Sequence, residues 1–307
     1  MLKNLCIIGS GKTALAHAKV AKLFGCNIKY IYTRNYKSKN FIKFSKYFKN
    51  VKKIPMLKNL DKLEVDGYIL CIPWILNDQF VKKFFLRIKK PMLFEKPIGF
   101  SDNKIFSKFI YPKNKYIGFN RRFFENIIFL KNNLKFKNIL NVEVTISENL
   151  KVFKKKFKNI KNKYIIYNTA IHVIDIIFFL FGKIKIIKKI GNLKSKDKNL
   201  ILLTENPKKI PIYINISHNS PENNCIRIKL KNSIMYELKP IELLSKFNNM
   251  KINIINGVRS YRPNKVYQKS ENYKYKPGFV AQMENFLYQN RKCNIYDAIN
   301  TMNFLKK

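Results

Sequence analysis

An unbroken apolar run that stops at a pair of glycines constrains this chain more than any other stretch. Residues 5–8 (LCII) leave no room for a helix before the glycines, and a short continuous apolar run is typical of a strand buried on both faces. The run leads into Gly9 and Gly11, and apolar residues then recur at helical spacing as far as Gly25, a residue type common at helix C-termini. The sequence therefore predicts a buried strand, a tight turn and a helix in that order.

The turn fits the pattern G-x-G-x-x-A, which is suited to binding phosphate. Gly9 permits a tight turn, Gly11 allows the backbone to approach a pyrophosphate, and Ala14 allows the helix to pack closely on the strand. The first N–H groups of the helix and the positive end of its dipole then face the anion. We predict a dinucleotide-binding loop here, against the alternative of an ordinary strand-to-helix turn. The residues of this loop are Gly9, Ser10, Gly11, Lys12, Thr13 and Ala14.

The end of the second predicted strand, at residues 27–33, bears on the choice of cofactor. In dinucleotide sites an Asp or Glu at this point binds the ribose 2′-OH of NAD, whereas a nearby Arg accommodates the 2′-phosphate of NADP. This chain has Thr33, Arg34 and Asn35 there, with no acid. We therefore predict NADP in preference to NAD. The alternative is that Arg34 is one more solvated cation in a basic protein.

Strands and helices alternate over the first 120 residues, which is typical of a doubly wound parallel sheet. The predicted strands that follow the loop are at residues 27–33, 67–73, 91–94 and 115–119, and the helices between them are at 39–48, 79–88 and 101–109. Residues 1–120 are thus predicted to form an α/β dinucleotide-binding Rossmann domain.

From residue 121 the pattern changes. A helix at 123–134 precedes a strand at 138–147, and further strand-like runs then follow one another without helices between them, which indicates a largely antiparallel sheet. We predict a second, α+β domain over residues 121–307 with an open sheet for substrate and oligomer contacts. The closing helices at 278–305 either belong to it or pack back on the first domain.

Three segments of this second half are interpreted individually. Residues 151–163 are rich in lysine and are predicted to be a solvated loop. Residues 167–181 are apolar, end at Gly182 and are predicted to be a helix. Residues 257–276 are predicted to be a long irregular loop.

The net charge is extreme. Sixty-two Lys and Arg residues against 18 Asp and Glu give +44, a balance that ordinarily suggests nucleic acid or another polyanion as a partner. The lysines, however, are spread along the whole chain and accompany an excess of Asn, Ile, Phe and Tyr, as an A+T-rich genome would produce. Compositional bias is therefore preferred, a nucleic-acid partner is not expected, and a polyanion-binding protein remains the alternative.

The other bulk properties indicate a globular protein of the cytoplasm. The five cysteines are widely spaced without a C-x-x-C pair, which favours buried thiols in a reducing compartment, and three histidines leave little scope for a metal site. No apolar run reaches the length of a membrane span, and we expect no signal peptide.

Four stretches together resemble the glucose-fructose oxidoreductase / inositol dehydrogenase family (Gfo/Idh/MocA). They are the glycine loop continued to His17, the segment Glu95-Lys96-Pro97 after a predicted strand, residues 118–123 (GFNRRF), and residues 168–175 (NTAIHVID). The order and spacing match along nearly the whole chain, and Glu-Lys-Pro is the most specific of the four. The resemblance implies a nicotinamide-dependent oxidoreductase that acts on a sugar, nucleotide sugar or polyol, and an assembly of two or four subunits.

The resemblance also implies catalytic residues. Lys96 is expected beside the nicotinamide and the substrate hydroxyl, and His172 is expected to handle the proton with it. The family has an Asp four residues before this His on one helix, where this chain has Asn168. Spacing of four would place both side chains on one helix face. Because Asn cannot accept a proton, a catalytically weakened sensor or partner subunit is the main alternative.

The cofactor residues follow from the same match. Pro97 is expected to follow a cis peptide bond, and His17 to pack at the base of the first helix. Besides the glycine loop, the implied cofactor residues are Arg34, Pro73, Trp74, Glu95, Lys96, Asn120 and Arg122.

Overall fold

The chain forms two compact units in a computed structural model that describes residues 1–80, 88–98, 112–157, 161–194 and 199–306. One unit combines Met1–Phe123 with Tyr273–Lys307, and the other is Phe124–Asn272. The predicted helix at 101–109 and most of the one at 79–88 lie outside the described residues. The division into domains at residue 120 stays a prediction.

A parallel sheet of six strands organises the first unit. The order along the sheet is β3-β2-β1-β4-β5-β6, so the direction of winding reverses between β1 and β4. In sheets of this order, ligands bind beyond the carboxyl ends of the strands at that reversal. The predicted doubly wound sheet is confirmed. Its strands are β1 (Asn4–Ile8), β2 (Asn27–Tyr32), β3 (Lys52–Lys53), β4 (Gly67–Leu70), β5 (Met92–Phe94) and β6 (Lys115–Ile117).

Helices pack on this sheet through small or aromatic side chains. Ala14, Ala18 and Ala21 are fully buried on one side of the first helix, which lets that helix lie close to the strands. The described helices of the chain are α1 (Lys12–Leu23), α2 (Lys39–Tyr47), α3 (Trp74–Phe80), α4 (Glu125–Asn133), α5 (Leu150–Lys156), α6 (Ala170–Phe181), α7 (Phe279–Leu287) and α8 (Ile295–Lys306). None of them is long and apolar enough to cross a membrane.

A sheet of eight strands organises the second unit. Its order is β14-β13-β12-β11-β7-β10-β9-β8, and every neighbouring pair is antiparallel except β7 and β10. The predicted open, largely antiparallel sheet is confirmed. Its strands are β7 (Ile139–Glu148), β8 (Lys185–Gly191), β9 (Asn199–Glu205), β10 (Pro211–His218), β11 (Cys225–Leu230), β12 (Ile234–Leu238), β13 (Leu243–Ile255) and β14 (Val258–Ser270).

The predicted irregular loop at 257–276 is wrong for most of its length, because β13 and β14 form a long hairpin at the sheet edge. Asn256 and Gly257 both have positive φ, 49° and 79°, as the two-residue turns that suit twisted hairpins require. Nearly all of β14 is exposed, so its sequence lacks the alternation that a half-buried strand shows. The Asn-Gly pair was the sequence signal that could have predicted the hairpin turn.

The predicted loop at 151–163 is also wrong in its first part, where α5 forms. Asn149 caps this helix, since its side-chain oxygen accepts the backbone N–H of Val152 at 2.9 Å. Phe153 and Phe157 are buried four residues apart, which is the spacing of one helix face. Because lysines fill the positions between these two residues, the amphipathic pattern of the segment was not recognised.

One lysine lies wholly buried at the start of β6. The side chain of Lys115 is 1% exposed, and its Nζ donates to the carbonyl oxygens of Ile88 at 2.6 Å and Lys90 at 2.9 Å. Burial lowers the pKa of Lys115 to about 7. The amine is at the amino end of the parallel sheet, opposite the edge where ligands bind in such sheets.

This pKa predicts a stability that rises with pH. Above pH 7 the unfolded chain keeps a proton on Lys115 that the folded chain has released, so the free energy of unfolding increases toward pH 9. Relative to Lys115→Met, the wild type should gain about 2 kcal/mol between pH 7 and pH 9. Urea denaturation of both proteins at these pH values measures the gain. A difference that does not change with pH would contradict the prediction.

Candidate functional site

The glycine loop lies at the carboxyl end of β1, pressed between the ends of β2 and β4. The N–H of Gly9 donates to the carbonyl of Tyr32 at 2.7 Å. Gly9 has φ of +110°, and a Cβ atom there would lie 2.2 Å from the carbonyl oxygen of Cys71. Only glycine fits this position, because any side chain would collide with backbone.

The second glycine of the loop is exposed to open space. Gly11 is the N-cap residue immediately before α1, its backbone is extended, and it makes no side-chain capping bond. A Cβ atom at Gly11 would meet nothing within 4 Å in the described protein. The open space at Gly11 leaves room for a pyrophosphate beside the first N–H groups of α1, which Gly11 does not cap.

A pocket of about 310 Å³ continues from this loop along the groove between α1 and α2. Ser10, Gly11 and Lys12 line its inner end, and the hydroxyl of Ser10 donates to that of Thr33 at the end of β2, 3.0 Å away. The other polar lining residues are Lys19, Asn40, Lys43 and Tyr47. The sequence motif did not indicate these four, although their helical spacing along α1 and α2 was a usable signal. Arg34 is exposed just beyond β2 and does not line this pocket.

Glu95, Lys96 and Pro97 follow β5 at the same edge of the sheet. The N–H of Glu95 donates to the carbonyl of Leu70 at the end of β4, at 3.0 Å. The peptide bond between Lys96 and Pro97 is cis, as the resemblance led us to expect. Lys96 is half-buried. The lysine implied to be catalytic thus lies at the carboxyl end of a central parallel strand, where such sheets place their ligands.

A buried network holds Glu95. His17 is fully buried in α1, its Nε2 lies 2.8 Å from a carboxylate oxygen of Glu95, and its ring stacks on Phe279 at 4.4 Å. The Lys276 amine lies 4.3 Å from the centre of that same Phe279 ring. Burial raises the pKa of Glu95, but the hydrogen bond from His17 and the charges of His17, Lys276 and Lys96 outweigh it, so the pKa is lowered.

Packing of His17 was expected, but its bond to Glu95 was not. The two residues are 78 positions apart, so no local pattern could indicate the pair. Cys71 adds a third donor, since the ligand atoms of His17, Cys71 and Glu95 all lie within 4.8 Å of one another. Burial and the charge of Glu95 raise the pKa of the Cys71 thiol. The interaction shown within this cluster is the hydrogen bond between His17 and Glu95.

Two other implied cofactor residues are tied to the C-terminal part of the same unit. The amide of Asn120 donates to the carbonyl of Pro277 at 2.9 Å. The Arg122 guanidinium is buried, donates to the carbonyl of Lys292 at 3.1 Å and pairs with Asp297 at 3.3 Å. These contacts account for the burial of both side chains, and their roles toward a cofactor stay predictions.

The remaining implied residues also lie along this edge. Pro73 is exposed after β4, and Trp74, 9% exposed, begins α3. In the glycine loop, Thr13 is half-buried and Ala14 is fully buried.

In the second unit, the expected placement of Asn168 and His172 on one helix is wrong. A 3-10 helix, Asn162–Tyr167, ends at Asn168, and α6 begins only at Ala170. His172 is in the first turn of α6, and its backbone N–H donates to the carbonyl of Thr169 at 3.0 Å. Asn168 therefore lies in the turn before the helix.

The reason for this break is a carboxylate that the sequence did not indicate. Glu148, the last residue of β7, is fully buried, and one of its oxygens accepts the N–H groups of Thr169 at 2.8 Å and Ala170 at 2.6 Å. The amide nitrogen of Asn168 lies 3.5 Å from its other oxygen. The charge of Glu148 fixes the start of α6 at this point.

Lys96 and His172 belong to different units, Lys96 to the first and His172 to the second. Their joint action on one hydroxyl group stays a prediction.

Several solved structures share this architecture over nearly the whole chain. UDP-N-acetylglucosamine 3-dehydrogenase GnnA from Acidithiobacillus ferrooxidans is 15% identical, with 99% of this chain and 95% of that chain covered and a TM-score of 0.72. The chain has the fold of the Gfo/Idh/MocA oxidoreductases. The resemblance found in the sequence is confirmed at the level of the fold.

Two further structures show how widely this fold is used. An oxidoreductase from Agrobacterium radiobacter in complex with NAD⁺, L-tartaric acid and magnesium is 15% identical, covers 99% of this chain and 94% of that chain, and has a TM-score of 0.71. A super-repressor mutant of Gal80p from Saccharomyces cerevisiae is 11% identical, covers 100% of this chain and 94% of that chain, and has a TM-score of 0.70. No protein-family model and no curated protein matches the sequence.

Proposed function

We propose that this chain is a nicotinamide-dependent oxidoreductase that interconverts a hydroxyl and a carbonyl group on a sugar, nucleotide sugar or polyol. The observation that carries the proposal is the loop Gly9 to Ala14. A side chain at its first glycine would collide with the backbone of Cys71. The space beside its second glycine is open, next to the first N–H groups of the helix, which that glycine does not cap. Lys96 at the end of β5 supports the proposal, because it belongs to the same sheet edge as that loop.

The residues of the chain would bind the cofactor and handle one proton. When bound, a nicotinamide supplies the hydride chemistry. As the alcohol is oxidised, the proton on its oxygen would pass to the Lys96 amine, with His172 as the proposed partner. His17 and Glu95 hold the backbone next to Lys96 in place through their 2.8 Å contact.

The most direct test of the reaction is a substrate panel. Purified protein is mixed with NADPH or NADH and with keto sugars, nucleotide keto sugars or inosose-type ketones, and the loss of nicotinamide absorbance is followed. Turnover with one class and not the others identifies the substrate class. A nucleotide sugar would agree with the basic surface, because its phosphates are anionic.

For the cofactor we propose NADP in preference to NAD. The chain has no acid at the end of β2, and Arg34 is exposed there. Lys12 and Lys43 add positive charge along the neighbouring pocket. All three groups are suited to a 2′-phosphate, which a guanidinium or ammonium binds through charge-assisted hydrogen bonds.

Arg34→Gln is expected to weaken NADPH binding about tenfold, the equivalent of one charge-assisted hydrogen bond, and to leave NADH binding unchanged. Lys22→Gln is the matched control, because it removes one charge from the far end of α1. Fluorescence titration with both cofactors gives the affinities. An equal loss for NADPH and NADH, or no loss for either, would contradict the assignment of Arg34.

Asn168 favours a second candidate, a cofactor-binding sensor or partner subunit with weak turnover. Such a protein would bind the cofactor tightly and show no reaction with any member of the panel. A polyanion-binding protein, the third candidate, would instead bind heparin or nucleic acid and lack affinity for the cofactor. We also propose a dimer or tetramer, which light scattering would measure.

A further inference from the structure

Glu148 combines complete burial with an acidic side chain and a position at the start of α6. It ends β7, and its side chain is 0% exposed. One carboxylate oxygen accepts the backbone N–H groups of Thr169 at 2.8 Å and Ala170 at 2.6 Å. Thr169, the residue at the cap position of α6, makes no side-chain capping bond of its own. The cap of this helix is therefore supplied by a strand that ends 21 residues earlier.

The second oxygen of the same carboxylate faces the amide of Asn168. The amide nitrogen lies 3.5 Å from this oxygen and 3.3 Å from the hydroxyl oxygen of Thr169. A carboxylate can only accept hydrogen bonds, so it fixes which end of the amide turns toward it. Asn168 accordingly has its nitrogen toward Glu148, and its carbonyl oxygen points away from the carboxylate.

This arrangement explains why the residue before α6 is neutral. An Asp at position 168 would put an anionic oxygen close to the place that the amide nitrogen occupies now, 3.5 Å from a fully buried carboxylate. Two carboxylates at that separation cannot both ionise readily, because each disfavours the charge on the other. Glu148 already places one buried carboxylate next to position 168.

We propose that Glu148 is a positioning residue for Asn168, and that the two side chains together replace the single Asp which the resemblance leads one to expect. Glu148 contributes the charge and orients the amide, and Asn168 contributes a hydrogen-bond acceptor for the substrate hydroxyl. The substrate part of this inference rests on the proposed function. The expected conflict between two carboxylates at residues 148 and 168 does not depend on the proposed function.

The test is a double-mutant cycle. Asn168→Asp should lower both the Tm and kcat, the latter about tenfold or more, because it creates the carboxylate pair. Glu148→Gln combined with Asn168→Asp should recover most of both losses, since the reversed pair again has one charge and one amide. Asn168→Ser, which adds no charge, should keep a Tm close to wild type and lose turnover. Asn264→Asp in the exposed strand β14 is the matched control for an added charge.

Either of two results would overturn the inference. One is an Asn168→Asp protein as stable as the wild type and at least as active, which would mean that no charge conflict exists. The other is a double variant no better than Asn168→Asp alone. If the wild type shows no turnover but the double variant recovers the Tm, the pairing stands and the proposed function fails. Comparison of the double variant with Asn168→Asp tests the inference even if Glu148→Gln alone does not fold.

Discussion

Gly11→Ala is expected to weaken cofactor binding strongly and to leave the folded protein intact. The backbone at Gly11 is extended with φ of −69°, which alanine adopts without strain, and its Cβ would meet no atom of the described protein within 4 Å. The methyl group would instead occupy the space in which a pyrophosphate approaches the first turn of α1. We expect NADPH affinity to fall about a hundredfold or more, with a Tm close to wild type.

Gly9→Ala is the matched comparison, because the same methyl group has a different effect there. At Gly9 the backbone has φ of +110°, and the Cβ would lie 2.2 Å from the carbonyl oxygen of Cys71. Strain of this kind alone costs about 1–3 kcal/mol, and the collision adds to it. The expected result is a large loss of Tm. If Gly11→Ala bound NADPH like the wild type, the loop would be an ordinary turn.

Lys96→Met is expected to lower kcat by about 10²- to 10⁴-fold, the usual contribution of a positioned acid or base. Methionine keeps much of the side-chain volume at this half-buried position and removes the amine. Cofactor affinity should fall much less than kcat, because the glycine loop, which is proposed to bind the pyrophosphate, is untouched. Steady-state kinetics with the active member of the substrate panel, together with a cofactor titration, separates the two effects.

Lys113→Met controls for the loss of one positive charge, since Lys113 is an exposed lysine of the same unit. It should retain wild-type kcat and cofactor affinity. A Lys96→Met protein that turns over as fast as this control would exclude Lys96 from proton transfer and leave His172 as the remaining candidate.

Local patterns were sufficient to predict most of the fold. The run at residues 5–8 is continuous because β1 is buried on both faces, and Gly9 is recognisable because a steric demand selects one residue type. Strand β14 could not be predicted in the same way. It lies at a sheet edge with both faces exposed, so burial imposes no alternation on its sequence.

The candidate site was predicted only where its residues are neighbours in sequence. The glycine loop and the segment Glu95 to Pro97 are local motifs at strand ends. The contact between His17 and Glu95, and that between Glu148 and Ala170, join positions 78 and 22 residues apart. Such pairs arise from the packing of distant elements and leave no local signature. The predicted helix at 167–181 began too early for the same reason, because the contact with Glu148 at its true start joins distant positions.

The measurement that tests the central claim most directly is a titration of purified protein with NADPH and NADH, followed by nicotinamide fluorescence and by quenching of Trp74, the single tryptophan. The proposed function predicts saturable binding of at least one cofactor, tighter for NADPH, and much weaker binding in Gly11→Ala. Absence of binding at physiological cofactor concentrations would contradict the claim that this loop holds a dinucleotide.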